Sequence, residues 1–330
     1  MRTRKLGKNG FDVSVLAMGA WQLADDKYWG QGGGDPERTV KTALDAGITL
    51  FDTAEMYADG ESEKALGKAL GKDRDRALIA SKVFSSHCAP AEVRLSCESS
   101  LRRLRTDRID LFQVHWPSRE AKFADTAAEM IKLRKEGKIR AIGVSNFGEK
   151  DLEEWMECGE TASNQIGYNL LFRAPEYEIF PACARHGLGV LVYMPLLQGI
   201  LTGRWDNAED IPQSRRRTRH FASTREGVRH GEPGCEDLLF ETLRRLKSEA
   251  EKAGHPLADI ALAWLLAKPG VTSVIVGARE PDQVLRNARA ASLSLDPEMV
   301  LELDGISQAL KDKLGGNADL WLPAEKSRIH

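Results

Sequence analysis

The sequence lacks three features that would place it in a membrane, extracellular or nucleic-acid-binding class. No run of 18 apolar residues occurs, and the first ten residues, MRTRKLGKNG, contain no apolar stretch typical of a secretion signal. The five cysteines show no CxxC spacing, so they predict neither a disulfide framework nor a zinc site. With a net charge of −2 and a pI near 6.4, the chain has no overall attraction for nucleic acid or anionic lipid. We therefore expect a cytoplasmic protein that binds neither nucleic acid nor membrane.

Short apolar runs alternate with amphipathic stretches along the chain, among them the helical candidates 35–47 and 61–71. Apolar runs without polar alternation, separated by helices, are typical of parallel strands covered on both faces. There are eight such runs, and eight units predict a closed (β/α)₈ barrel, the TIM-barrel architecture, formed by residues 1–330 as a single domain. The runs are 13–19, 48–53, 76–83, 108–116, 139–147, 162–168, 188–196 and 271–278.

Three regions lie outside this alternation. Residues 3–14 predict a β-hairpin with Asn9-Gly10 in its turn, which we expect to close the bottom of the barrel. Residues 198–234, after the seventh strand, show little apolar periodicity and predict a long loop, of the kind that is usually functional. Its arginine-rich run, 214–219, favours a solvated loop, and the alternative is that part of the run binds cofactor phosphates. The tail after Asp296 predicts a helical piece and a loose end.

Four chemically active side chains fall at or just after the ends of successive predicted strands. Asp52, Lys82 and His115 end strands two, three and four, and Tyr57 follows Asp52. Active sites of such barrels lie at this face. A buried carboxylate is costly without a cation, and Lys82 supplies one to Asp52. The same ammonium is expected to lower the pKa of Tyr57, which then exchanges a proton with a reacting oxygen while His115 orients it. This pattern indicates carbonyl reduction, with hydride from a cofactor.

Seven segments in order make the sequence resemble the aldo-keto reductases, of the long-loop bacterial type, over about residues 6–287. They are FDTAEMY, ASKV, DLFQVHWP, GKIRAIGVSNF, NQIGYN, YMPLLQGILTGR and VIVGAREPDQVLRN. The resemblance implies a catalytic tetrad of Asp52, Tyr57, Lys82 and His115, with Tyr57 as general acid/base. It also implies a small-molecule carbonyl or polyol substrate.

The resemblance further implies an extended NADP(H) site over the barrel mouth. Ser145, Asn146 and Gln165 match positions that hold the nicotinamide carboxamide, and Tyr193 matches the aromatic ring that stacks on the nicotinamide. The other implied cofactor residues follow the seventh and eighth strands: Pro195, Leu196, Gln198, Gly199, Arg204, Arg215, Gly277, Arg279, Gln283 and Asn287. Trp29 and Trp116 match apolar walls of the substrate pocket, beside Tyr57 and His115.

Arg279 favours NADPH over NADH, because it precedes a predicted helix whose N-terminus suits the adenosine 2′-phosphate. Three features depart from the family pattern. Gly167 stands where an acidic residue is usual, and Gly277-Ala278-Arg279 stands where many relatives have Lys-Ser. The loop after the seventh strand, which carries Arg215, is long and unusually rich in arginine.

Two other functions stay open at this point. One is a cofactor-binding regulatory subunit with little turnover, since some relatives serve ion channels and keep the tetrad. The other is a metal-dependent hydrolase that uses His115 and Asp52. His220, His230 and Cys235 fit no standard ligand spacing, and we expect no metal. The sequence does not distinguish a monomer from a homo-oligomer.

Overall fold

The structure, a computed structural model, describes residues 1–24 and 34–330. The chain begins with an antiparallel hairpin of β1 (Thr3–Lys5) and β2 (Asp12–Ser14). Its loop closes through a 2.9 Å hydrogen bond from the Leu6 amide to the Phe11 carbonyl, so Asn9-Gly10 lies within the predicted turn.

Eight parallel strands then form a closed barrel in chain order, with the last strand paired to the first. This confirms the predicted (β/α)₈ architecture. The strands are β3 (Leu16–Gly19), β4 (Leu50–Asp52), β5 (Leu78–Val83), β6 (Ile109–Val114), β7 (Ile139–Ser145), β8 (Ser163–Gly167), β9 (Gly189–Tyr193) and β10 (Val271–Gly277).

The hairpin covers the N-terminal end of the barrel, as predicted. Leu6 and Val13 are fully buried against inward-facing side chains such as Ala17, Leu50 and Leu191. The predicted first strand, 13–19, is wrong at its start, because its first two residues pair with β1. Ser14 pairs with Thr3 in the hairpin, and its hydroxyl accepts from the Thr49 amide at 3.0 Å.

Helices cover the outside of the barrel. They are α1 (Pro36–Asp45), α2 (Glu61–Leu70), α3 (Pro90–Leu104), α4 (Phe123–Lys135), α5 (Glu149–Cys158), α6 (Ile179–His186), α7 (Glu236–Lys252), α8 (Leu257–Ala267), α9 (Pro281–Ala290) and α10 (Pro297–Leu314). Asp35 caps α1 by accepting from the Arg38 amide at 3.0 Å. Within the described part of the chain, no helix is long and apolar enough to cross a bilayer.

The long loop after β9 is packed against the protein, which corrects the expectation of a solvated arginine run. Arg219 is buried; it pairs with Glu232 at 2.8 Å and donates to the Leu314 and Asn317 carbonyls. His220 is fully buried, and its ring contacts the Leu171 carbonyl at 2.9 Å.

The prediction of a loose end is also wrong. Residues 315–330, here called the C-terminal segment, carry buried Asp319 and Leu320. Their last residue is fastened to α5, because Asp151 and His330 exchange two hydrogen bonds, at 2.7 and 2.9 Å. The segment therefore forms part of the barrel's C-terminal face.

Candidate active site

A cavity of about 670 Å³ opens at the C-terminal ends of the strands. Most of the predicted site residues line it: Asp52, Tyr57, His115, Trp116, Ser145, Asn146, Gln165, Tyr193, Pro195, Leu196, Gln198, Gly199, Arg204, Arg215, Gly277, Arg279 and Gln283. Lys82 lies behind the wall, fully buried. Asn287, in the second turn of α9, does not line the cavity, and Trp29 lies outside the described residues.

One hydrogen-bond network connects Asp52, Lys82 and Tyr57. The Lys82 ammonium donates to Asp52 Oδ1 at 2.7 Å, to the Thr53 carbonyl at 2.8 Å and to the Tyr57 hydroxyl at 3.2 Å. Asp52 ends β4 and Lys82 lies on the neighbouring β5, so strand pairing brings the two charges together. All three N–H groups of the Lys82 ammonium thereby have an acceptor, and one of these acceptors is the Tyr57 hydroxyl.

The loop after β4 brings Tyr57 back over these strands. The Tyr57 amide donates to the Ala54 carbonyl at 3.1 Å, and Ala58 and Asp59 adopt left-handed backbone conformations with φ of 49° and 52°. Such conformations cost free energy in residues other than glycine, and they tend to cluster at functional sites. The Trp21 ring stacks on the Tyr57 ring at 5.5 Å between centroids, which fixes the phenol from its other side.

Burial changes the expected electrostatics of Tyr57. Loss of solvent raises the pKa of Tyr57 above its usual value of 10, although the Lys82 ammonium acts to lower it. Our expectation of a lowered pKa considered the ammonium and neglected burial. Burial is the largest single influence on Lys82 and opposes its charge, but Asp52 and Tyr57 together outweigh it and raise the pKa of Lys82. At neutral pH the pair is therefore a neutral phenol beside a cation, and a neutral phenol still has a proton to give.

His115 is held neutral beside the phenol. Burial, followed by the Lys82 charge, places the pKa of His115 well below 6.5. Its ring meets that of Tyr57 edge-on, with centroids 5.6 Å apart. Nδ1 is buried and has no hydrogen-bond partner within residues 1–24 and 34–330. A neutral imidazole has one N–H, and burying an unpaired N–H is costly, so we place the proton on Nε2.

The amide side chains predicted to hold a carboxamide have protein partners. Gln165 Nε2 donates to Asp52 Oδ2 at 2.7 Å, and within the described residues its oxygen accepts no hydrogen bond and can accept one from a ligand. Asn146 Nδ2 donates to the His115 carbonyl and to Ser145 Oγ, at 3.0 and 3.1 Å, while Asn146 Oδ1 accepts from the Tyr193 hydroxyl at 2.7 Å. Asn146 therefore anchors the ring of Tyr193 at the cavity wall.

Gly167 lies directly under Tyr193. A Cβ at this position would come within 3.2 Å of the Tyr193 ring and 3.1 Å of Leu320. The glycine thus allows Tyr193 and the C-terminal segment to pack closely, which gives a physical reason for the absence of an acidic residue here.

Arginines concentrate along the wall formed by the long loop and β10. Arg204, Arg215, Arg217, Arg229 and Arg279 all line the cavity. The Arg204 guanidinium lies 3.8 Å from the centroid of the Trp205 ring. Burial, with the nearby charge of Arg215, lowers the pKa of Arg204. An anion bound between two neighbouring cations reduces the repulsion between them, so this wall suits phosphate groups.

The N-terminus of α9, which follows Arg279, is capped by the side chains of Glu280 and Gln283. We had expected its backbone amides to be available to an anion, and that expectation is wrong. Gln283 Oε1 accepts from the Arg279 amide at 2.7 Å and the Glu280 amide at 3.3 Å, and the Glu280 side chain caps the Gln283 amide. Any phosphate recognition at this end therefore depends on the Arg279 side chain more than on free helix amides.

Several residues that line the cavity were not predicted from the sequence, among them Trp21, Gln22, Trp321 and Arg328. Trp21 and Gln22 lie two and three residues after the end of β3. Because active sites of such barrels lie at the C-terminal ends of the strands, the end of the first strand would have indicated them. Trp321 and Arg328 come from the C-terminal segment, outside the repeating strand–helix pattern, where no such rule applies.

No group of three or more His, Cys, Asp or Glu side chains that could hold a metal ion occurs in the described ranges. The buried His220 ring has both nitrogens in contact with protein oxygens, at 2.9 Å from the Leu171 carbonyl and 3.0 Å from Thr218 Oγ1.

The profile of the Aldo/keto reductase family matches residues 15–308. The NADH-specific methylglyoxal reductase of Escherichia coli strain K12 is 29% identical over 94% of this chain and 100% of its own length. A glycerol dehydrogenase structure, AKR11B4 from Gluconobacter oxydans, covers 92% of this chain and 94% of that chain at 30% identity, with a TM-score of 0.78. The structure of an aldo-keto reductase from Klebsiella pneumoniae in complex with NADPH is 29% identical in sequence, with a TM-score of 0.72. The match covers 100% of this chain and 99% of that chain.

Proposed function

Because the chain belongs to the aldo/keto reductase family, we propose that it is an NADP(H)-dependent oxidoreductase acting on the carbonyl or alcohol carbon of an aldehyde, ketone or sugar-like substrate. The observation that carries the proposal is the line of hydrogen bonds from Asp52 through Lys82 to the Tyr57 hydroxyl, at 2.7 and 3.2 Å, on the cavity wall.

Tyr57 acts as the general acid in reduction. A nicotinamide cofactor, when bound, would supply the hydride for the carbonyl carbon. As charge develops on the carbonyl oxygen, the Tyr57 hydroxyl gives it a proton, and the resulting phenolate lies beside the Lys82 ammonium. Asp52 keeps that ammonium charged and in place. In alcohol oxidation the same groups work in reverse, with the phenolate as base.

His115 positions the reacting oxygen. Its neutral ring lies against Tyr57, and an N–H on Nε2 is the donor suited to a carbonyl oxygen between the two side chains. A neutral donor polarises the oxygen without competing with Tyr57 for the role of acid.

The cavity residues fit an extended dinucleotide phosphate. Tyr193, held by Asn146, offers a ring at one end, while Arg204 and Arg215 offer charge near the long loop and Arg279 at the end of β10. The similar proteins named above include both an NADH-specific enzyme and an NADPH complex, so the choice of cofactor rests on residues of this chain. Arg279 is the residue that we assign to the 2′-phosphate.

Arg279→Ala should weaken NADPH binding about 10- to 150-fold, the range that corresponds to a hydrogen bond with a charged group. NADH, which lacks the 2′-phosphate, should bind nearly as before. Dissociation constants for both cofactors, measured by fluorescence quenching, test this. Equal weakening of both, or a wild-type preference for NADH, would show that Arg279 does not recognise the 2′-phosphate.

NADPH oxidation with a panel of aldehydes and NADP⁺ reduction with a panel of polyols test the function itself. Turnover of at least one member with saturation kinetics is the expected result. Tight NADPH binding with no turnover of any member would favour the regulatory-subunit alternative.

A further inference from the structure

Arg328 lies on the wall of the same cavity and is fixed on two sides. Its Nε and Nη2 donate to the two carboxylate oxygens of Asp319, at 2.8 and 2.9 Å. Its guanidinium lies 3.8 Å from the centroid of the Trp116 ring and 5.9 Å from that of Trp321. A planar guanidinium held along one edge and stacked on an indole has little freedom to rotate.

One donor edge of this side chain is unused. Arginine has five N–H groups, and Nη1 carries two of them. Among residues 1–24 and 34–330, Nη1 makes no hydrogen bond, and the Arg328 side chain is 38% exposed where it lines the cavity. Because Asp319 takes the opposite edge, Nη1 is the group left to meet a molecule that enters.

The support behind Arg328 is rigid. Asp319 is fully buried and also accepts from the Trp321 amide at 3.0 Å. The Arg328 carbonyl accepts from Arg119 at 2.9 Å, and His330 is fastened to Asp151. A donor positioned in advance binds its acceptor with a smaller entropic cost.

The position and charge of the Arg328 guanidinium indicate which ligand group its Nη1 edge would bind. Trp116, against which Arg328 stacks, directly follows His115, and all three side chains line the same cavity. We therefore place Arg328 in the part of the cavity next to the proposed reacting carbonyl. The Asp319 carboxylate already balances the charge of Arg328, so the site favours a neutral oxygen acceptor over a carboxylate. The surrounding walls are the aromatic rings of Trp116 and Trp321.

We propose that Arg328 Nη1 binds a second oxygen of the substrate, so that this enzyme prefers short carbonyl compounds with a neighbouring hydroxyl or carbonyl group over simple alkyl aldehydes. The inference rests on the proposed carbonyl reduction, and it makes Arg328 a residue that determines specificity.

The experiment compares glyceraldehyde with butanal, which has a similar size and only one oxygen. Wild-type enzyme should show the higher kcat/KM with glyceraldehyde. Arg328→Lys keeps a positive charge beside Asp319 but removes the planar guanidinium, and with it the Nη1 donors that would meet the substrate. The ratio of kcat/KM values, glyceraldehyde over butanal, should fall roughly 10- to 150-fold. Arg76→Lys is the matched control and should leave the ratio unchanged, because Arg76 is exposed, pairs with Asp45 and does not line the cavity.

A wild-type ratio near one, or an equal loss with both aldehydes in Arg328→Lys, would overturn the inference and leave the proposed reaction standing. A wild-type preference for succinic semialdehyde over glyceraldehyde that Arg328→Lys abolishes would overturn the neutral-acceptor assignment. If the wild type reduces none of the three with NADPH, the inference fails; if it also turns over no member of the aldehyde and polyol panels, the proposed function fails as well.

Discussion

Tyr57→Phe should lower kcat for aldehyde reduction by at least about 10²–10⁴-fold, the usual contribution of general acid catalysis. The substitution removes the hydroxyl that Lys82 contacts at 3.2 Å and keeps the ring on which Trp21 stacks. NADPH affinity should barely change, because the phenol is assigned to the substrate oxygen.

Tyr177→Phe is the matched control. Tyr177 is exposed, and its hydroxyl meets Asp312 at 3.4 Å, away from the cavity. Steady-state kinetics of both variants, with dissociation constants for NADPH, check the assignment. Near-normal turnover in Tyr57→Phe would remove Tyr57 from the role of proton donor.

Lys82→Met should destabilise the fold by about 3–5 kcal/mol, because it leaves the buried Asp52 carboxylate without its cation. It should also lower kcat, since no charge then stabilises the phenolate. Unfolding by urea, followed by circular dichroism, measures the first effect, and NADPH oxidation measures the second.

The double variant Asp52→Asn/Lys82→Met separates the two roles of the pair. Removing both charges should restore much of the stability, because no unpaired charge stays buried. It should not restore turnover, because the phenolate still lacks an ammonium. Recovery of kcat together with stability would mean that Lys82 serves the fold alone.

The barrel could be predicted from the sequence because each strand is a short apolar run and each helix an amphipathic stretch, two local signals. Because active sites of such barrels lie at the C-terminal ends of the strands, the sequence predicted that Asp52, Lys82 and His115 lie together at that end. In the structure they lie there, together with Tyr57. The contact between Gln165 and Asp52 joins residues 113 positions apart across the barrel, and no local pattern encodes it.

The C-terminal segment could not be predicted for a related reason. Trp321 and Arg328 reach the cavity only because Asp319, Asp151 and Arg119 fasten a stretch that has no regular periodicity. The direction of the Tyr57 pKa shift was missed because burial, its largest cause, depends on the packed surroundings of the ring.

The pH dependence of hydride transfer, measured in a single turnover with NADPH and aldehyde, tests the central claim most directly. Burial raises the pKa of Tyr57, so the phenol stays protonated until the pH exceeds its ordinary value of about 10. The rate of reduction should therefore stay level between about pH 7 and 9 and fall only above about 10. The pKa of His115 lies well below 6.5, so its charged form is absent across that range. A rate that instead falls as the pH rises through about 6.5 would identify the His115 imidazolium as the proton donor and contradict the assignment of Tyr57.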